Sequence, residues 1–170
     1  TKYLRTKGKS MNGCNEVLDA ADIMVKDVIA QRWVYRGSKT RELGWLEKGG
    51  NLILSMWGYV YMDHPYNVRP LSKTYKMTAD KLGIKDKKGV IGVECPQWCE
   101  YIRTEEKFDF LSFARIITVA EIAWTPDYRM DYKGFEERLE ALRPFFESRG
   151  WYIPPQKVYR GKARDFKTLT

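Results

Sequence analysis

Two kinds of hydrophobic pattern alternate along the chain. Residues 27–33 (DVIAQRW), 51–57 (NLILSMW) and 89–94 (GVIGVE) are short, mostly apolar runs, and residues 10–14 form a shorter extended segment. Runs of this kind predict strands buried on both faces, as in a parallel sheet. Between them the period changes. Residues 38–48 predict a helix capped by Ser38 and closed by Gly49-Gly50. Residues 104–124 predict a long helix ended by Thr125-Pro126, with Phe108, Leu111, Ile116, Val119 and Ile122 on one buried stripe. Residues 131–148 place Phe135, Leu139, Leu142 and Phe146 at steps of four, three and four, an amphipathic helix closed by Gly150. Residues 1–9 read as a helix end stopped by Gly8, and residues 15–21 as a helical turn or two capped by Asn15. The third strand is expected to continue irregularly through residues 58–63. Residues 64–88, with two prolines and many charges, read as a long loop with a helix near residues 78–82.

Strands that alternate with helices predict α/β architecture built from parallel βα units. Cys14, Trp33, Tyr61, Asp63, Trp98 and Glu100 all fall at or just past the C-terminal end of a predicted strand. In a TIM-type (β/α)8 barrel that end carries the active site. Four strands are half of the eight such a barrel needs. The expectation is therefore the second half of a barrel, about four βα units, followed by a C-terminal amphipathic helix. Such a sheet has two open edges, which the other half of a barrel, a partner or self-association would cover.

Composition narrows the chemistry. With 44% apolar and 31% charged residues the chain is a folding sequence. Its net charge of +8 raises nucleic acid as a partner, but the basic residues are scattered, apart from residues 81–88 and a basic tail at residues 157–167. Acids at the strand ends would repel phosphate, so no nucleic-acid partner is expected. No apolar run approaches the ~20 residues of a membrane span, so no membrane partner is expected. Cys14, Cys95 and Cys99 cannot build a disulfide framework. With His64 the single histidine, they do not supply a zinc ligand set either. They read as small buried apolar thiols. Six tryptophans and eleven tyrosines are the less ordinary feature, several of them beside glycine or acids. Flat rings next to hydrogen-bonding acids suit a sugar, which has apolar C–H faces and a hydroxyl edge.

Five segments in order resemble glycoside hydrolase family 20, the β-N-acetylhexosaminidases. Gly92-Val93-Glu94-Cys95-Pro96-Gln97-Trp98-Cys99-Glu100 is similar to that family's G-V-E-A-x-L-W-T-E. Tyr59-Val60-Tyr61-Met62-Asp63 resembles its Y-L-D, and Gln31-Arg32-Trp33 its Q-x-W. Phe113-Ala114-Arg115 through Ala120-Glu121-Ile122-Ala123-Trp124 resembles its F-P-R…A-E-x-x-W, and Phe135 to Leu139 its last helix. The resemblance implies that residues 1–152 are the C-terminal half of the catalytic barrel, with residues 153–170 a basic tail. It implies no cofactor and no metal, an N-acetylhexosamine-containing glycan as substrate, the missing N-terminal half of the barrel as partner, and an exported parent protein. It also implies substrate-assisted retaining hydrolysis, in which the 2-acetamido carbonyl attacks the anomeric carbon.

In that scheme Tyr61 is the catalytic residue of this chain and donates to the acetamido carbonyl. Trp33 and Trp98 wall the pocket, Glu100 accepts from sugar hydroxyls, and Asp63 supports the leaving-group or acetamido end. Each has a packing alternative: the indoles as filling of the barrel top, Tyr61 and Asp63 as loop caps. Glu94, Arg115 and Glu121 read as scaffold. Three departures stand out. Cys14 follows Gly13 where the family carries a tryptophan, which removes a pocket wall unless Trp57 replaces it. No aromatic between residues 64 and 88 clearly matches one that the family often carries there. The family's Asp-Glu catalytic pair belongs to its fourth strand, and no Asp-Glu dipeptide occurs in this chain.

Overall fold

The computed structural model describes residues 1–26, 28–34, 40–100 and 102–162. Ser38, Asp27 and the end of the basic tail lie outside the described residues. The elements run α1 (Lys2–Thr6), β1 (Met11–Cys14), a 3₁₀ turn (Asn15–Ala20), α2 (Ala21–Met24), β2 (Val28–Arg32), α3 (Thr40–Glu47), β3 (Asn51–Leu54), α4 (Trp57–Val60), α5 (Leu71–Thr74), β4 (Val90–Val93), α6 (Glu105–Trp124), a second 3₁₀ turn (Asp127–Arg129), α7 (Tyr132–Ser148) and α8 (Gln156–Tyr159). The chain divides into two compact units. One is Thr1–Trp57 with Ala79–Glu94; the other is Gly58–Thr78 with Cys95–Thr170.

The first unit holds a fully parallel sheet in the order β1-β2-β3-β4. Val28, Ala30, Leu52 and Leu54 are buried on one face, together with Leu18 and Trp45. The alternate residues Ile29, Gln31 and Ile53 are only half-buried. The Trp45 indole donates to the Asn51 carbonyl at 3.0 Å, which ties α3 to the start of β3. The β3–β4 register slips after Leu52↔Val90, so that Ile53 faces Gly92 and Ile91 is left exposed. Gly89 enters β4 at φ +91, and a Cβ there would stand 2.5 Å from the Gly50 carbonyl oxygen. Only glycine lets the two backbones approach this closely.

Asn15 does not cap its helical turn. Cys14 holds that position without a side-chain capping bond. Asn15 is buried instead, accepting at Oδ1 from Arg32 Nη1 at 2.9 Å and from the Val34 amide at 3.4 Å. The buried Arg32 guanidinium also pairs with Glu42. A local cap was outcompeted by a tertiary need, that of a buried cation for acceptors.

In the second unit α6 is capped by the Thr104 side chain, which accepts from the Lys107 amide at 3.2 Å. Glu105 and Glu106 in its first turn complement the helix dipole. The buried stripe differs from the expected one. Leu111, Val119 and Ile122 are buried, but Phe108 and Ile116 are 38% and 39% exposed. Phe110, Ser112, Ala114, Arg115 and Thr118 take their place. Polar groups turn inward here because each finds an acceptor: Thr118 the Ala114 carbonyl, Ser112 the Gln97 side chain, Arg115 three carbonyls.

α7 shows the same effect. Phe135 and Leu139 are buried, while Leu142 is exposed and Phe146 half-buried. Its acids hold the following chain instead. Arg160 makes two bonds to Glu136, at 2.9 and 2.7 Å, and Tyr159 donates to Glu140 at 2.6 Å. Arg143 reaches the Ile153 and Pro154 carbonyls. The segment read as a loop is packed as well. Tyr66, Arg69, Leu71, Thr74, Tyr75 and Met77 are buried in the second unit, and Ala79, Leu82 and Ile84 in the first. The helix there is α5, not residues 78–82. Beyond β3 the chain turns helical in α4 rather than staying extended.

The α7 acids give stability a defined pH dependence. Hydrogen bonds from Arg160 hold the Glu136 carboxyl below the ordinary carboxylate value. Burial pushes Glu140 up, but Arg143 and Tyr159 outweigh it and its pKa is also lowered. Groups depressed on folding stabilise fully above their unfolded value, 4.5 for glutamate, and lose that contribution as pH falls through the folded value. The thermal midpoint is expected to drop between about pH 5 and pH 3. Glu136→Gln removes part of that slope; a variant with the same slope as wild type contradicts the assignment.

Candidate active site

The second unit gathers Tyr61, Asp63, Trp98 and Glu100. Two short segments carry them, and hydrogen bonds hold both. The Met62 amide, between Tyr61 and Asp63, donates to the Pro96 carbonyl at 2.9 Å. The Ser112 hydroxyl of α6 donates to Gln97 Oε1 at 2.9 Å, next to Trp98. The Tyr61 and Trp98 rings therefore stand 6.3 Å apart, inclined at 37°. Tyr61 is 8% exposed and Trp98 51% exposed, so the pair presents a fixed phenol beneath a half-open indole face. Glu100 is exposed two residues further on. Tyr101 lies outside the described residues.

Asp63 points its carboxylate inward, with its side chain 12% exposed. Oδ2 lies 3.7 Å from His64 Nε2, and Oδ1 is buried without a hydrogen-bond partner. Two buried guanidinium groups supply positive potential around it. Burial pulls the Arg69 pKa down to about 10, opposed by the negative charge of Asp63. Arg115 is lowered by burial in the same way, with Tyr66 and Asp63 opposing. Burial also lowers His64, and the charge of Arg69 adds to that effect. Neither Arg69 nor His64 is legible as a site residue in the sequence. Arg69 sits in a segment rich in charges, and nothing in its local pattern separates it from solvated neighbours.

The first unit carries Trp33 and Cys14. Trp33 is half-buried just past β2, and its carbonyl accepts from the Trp57 amide at 2.7 Å. Trp57 is itself half-exposed. Cys14 ends β1 and donates from Sγ to Gln31 Oε1 at 3.6 Å. Gln31 in turn donates to Ser55 Oγ at 3.4 Å and to Glu94. A polar row thus links the C-terminal ends of all four strands. Its signal in the sequence is a polar residue closing each apolar run. Tyr61 and Asp63, by contrast, follow β3 only after the α4 turn.

The thiols are not buried. Cys14 and Cys99 are exposed, Cys95 is half-buried, and all three are free. A small side chain at a strand end or in a surface turn has too few neighbours to cover it. Among the described residues no group of three or more His, Cys, Asp or Glu could hold a metal ion. No helix among them is long and apolar enough to cross a membrane. A cavity of about 40 Å³ in the first unit, lined by Arg32, Glu42, Leu43, Met56, Leu82, Gly83 and Ile84, contains none of the candidate residues.

Known proteins share the family sequence and the fold. The model of the glycosyl hydrolase family 20 catalytic domain matches residues 1–127. A β-hexosaminidase of Porphyromonas gingivalis is 32% identical over 99% of this chain and 23% of its own length. The β-N-acetylhexosaminidase structure from Streptomyces coelicolor superposes with a TM-score of 0.79 at 25% identity, covering 91% of this chain and 34% of that one. A Vibrio harveyi exo-β-N-acetylglucosaminidase, solved with N-acetylglucosamine, shares the fold with a TM-score of 0.75 at 22% identity, over 89% of this chain and 25% of its own. The chain spans about a quarter of the length of the P. gingivalis relative. Its four parallel strands and their helices are part of a (β/α) barrel. The chain belongs to glycosyl hydrolase family 20.

Proposed function

We propose that this chain is part of an exo-acting β-N-acetylhexosaminidase, which removes terminal N-acetylhexosamine by substrate-assisted retaining hydrolysis. The observation that carries the reading is the Tyr61–Trp98 pair, fixed through Met62 and Pro96 beside two acids. Tyr61 donates a hydrogen bond from its hydroxyl to the acetamido carbonyl and holds that oxygen in line with the anomeric carbon, which is positioning catalysis. Trp98 stacks on the acetamido methyl and the apolar sugar face, and Trp33 keeps the pocket-wall role that the family resemblance implies. Glu100 accepts from ring hydroxyls. Asp63, whose Oδ1 has no protein partner, accepts at the leaving-group or acetamido end. The proton donor to the leaving oxygen and its aspartate neighbour belong to sequence outside these 170 residues, which hold no Asp-Glu pair.

The chain alone is expected not to hydrolyse a chromogenic β-N-acetylglucosaminide, whereas a protein extended upstream through an Asp-Glu strand hydrolyses it. Turnover by the 170 residues alone would overturn the division of labour. The lack of the pair also favours a second reading, a non-catalytic sugar-binding module. Tryptophan fluorescence separates the two: saturable quenching by N-acetylglucosamine that is lost in Trp98→Ala, with no turnover in the extended protein, selects the binding module.

A further inference from the structure

Arg115 is the most completely enclosed cation of the chain's described residues, with no exposed surface. Its three hydrogen bonds go to backbone carbonyls. Nη1 donates to the Met62 carbonyl at 3.0 Å and to the Leu111 carbonyl at 2.8 Å, and Nη2 to the Arg69 carbonyl at 2.9 Å. Its guanidinium lies 3.9 Å from the centre of the Tyr66 ring. Tyr66 is fixed in turn by its hydroxyl, which donates to the Phe110 and Leu111 carbonyls at 3.1 and 3.3 Å.

A buried cation without a bonded acid is costly, because the low-dielectric interior offers little solvation. A residue that only filled space here would be apolar. Its placement makes sense if the backbone it holds needs a fixed position. That backbone is Met62, whose amide is already held by Pro96. With Arg115 on the carbonyl, both backbone polar groups of Met62 are bound. The two side chains that matter flank it. Tyr61 precedes Met62 and Asp63 follows it in a turn, so a shift or rotation at Met62 moves both.

We infer that Arg115 is a positioning residue for the proposed reaction: it clamps the Met62 carbonyl and thereby sets Tyr61 against Trp98 and Asp63 against its surroundings. The inference rests on the proposed hexosaminidase reading. Lysine keeps the charge but has no planar fork, and cannot bridge two separated carbonyls in fixed directions. Arg115→Lys therefore frees the Met62 carbonyl while leaving a folded protein.

The test is a double-mutant cycle in the upstream-extended enzyme, with Arg115→Lys and Tyr61→Phe separately and together. Arg115→Lys is expected to lower kcat about 10- to 100-fold with little change in KM, since misplacement of a reacting group by about 1 Å has effects of that size. In the Tyr61→Phe background the same change is expected to cost less than about threefold, because the hydroxyl it positions is gone. The thermal midpoint of each variant is measured alongside, so that loss of folded enzyme is not read as loss of positioning. Equal losses in both backgrounds overturn the inference and leave the hexosaminidase reading intact. A wild-type enzyme with no activity on N-acetylhexosaminides overturns the reading, and the inference with it.

Discussion

Tyr61→Phe is expected to lower kcat on an aryl β-N-acetylglucosaminide about 100-fold, roughly 2.7 kcal/mol of barrier. KM should change little. The phenol lies in a nearly closed setting, 8% exposed, with its ring fixed against Trp98. Removing only the hydroxyl keeps that packing. What disappears is a donor that aligns the acetamido carbonyl oxygen with the anomeric carbon, an alignment the bond-forming step needs. Loss of alignment in the bound complex appears in kcat rather than in KM. A substrate series with electron-poor acyl groups sharpens the test. If Tyr61 orients the acyl oxygen, an N-trifluoroacetyl substrate is slow with wild type and variant alike, and the gap between the two enzymes narrows. A variant that loses only KM would place Tyr61 in ordinary binding, and one that loses nothing would make it a packing residue.

The strands and helices were legible because their chemistry is local. Continuous apolar runs at residues 27–33, 51–57 and 89–94 need nothing beyond their neighbours to predict β2, β3 and β4. Thr104, Asp131 and Gly150 mark helix ends by their own side chains or backbone freedom. The faces of α6 and α7 were less legible. Periodicity assigned the inward side to Phe108, Ile116 and Leu142, whereas the structure turns Arg115, Ser112 and Arg143 toward acceptors and Glu136 toward the Arg160 donor. Each of those groups also has a partner 10 to 53 residues away in sequence, and no local window contains it. The site divides in the same way. Trp98 and Tyr61 were visible as aromatics beside turns and acids. Arg69 and His64 were not, because a buried charge and a solvated one look alike in sequence. The polar row Cys14–Gln31–Ser55–Glu94 depends on strand register, which is a property of the folded sheet.

Arg115→Met is expected to destabilise the protein by about 3–5 kcal/mol, the range for removing one partner from a buried charged network. Methionine approximates the length and volume of the arginine stem, so little cavity forms and the loss reports polar groups. The Leu111 carbonyl keeps its place in the α6 ladder. The Met62 and Arg69 carbonyls lose a charged donor inside the second unit, and each unsatisfied acceptor costs about 1–3 kcal/mol. Tyr66 loses the cation over its ring, a smaller effect of about 1–2 kcal/mol. Removing a buried charge from the same place recovers part of its desolvation cost, which keeps the net near the range given rather than at the sum. Urea unfolding checks the value through the midpoint at constant m. A loss below about 1 kcal/mol would mean that the guanidinium's desolvation cost cancels its three hydrogen bonds. Arg115 would then be retained for the position it imposes on Met62 and not for stability, and Arg115→Met should show the same selective kcat loss as Arg115→Lys while remaining folded.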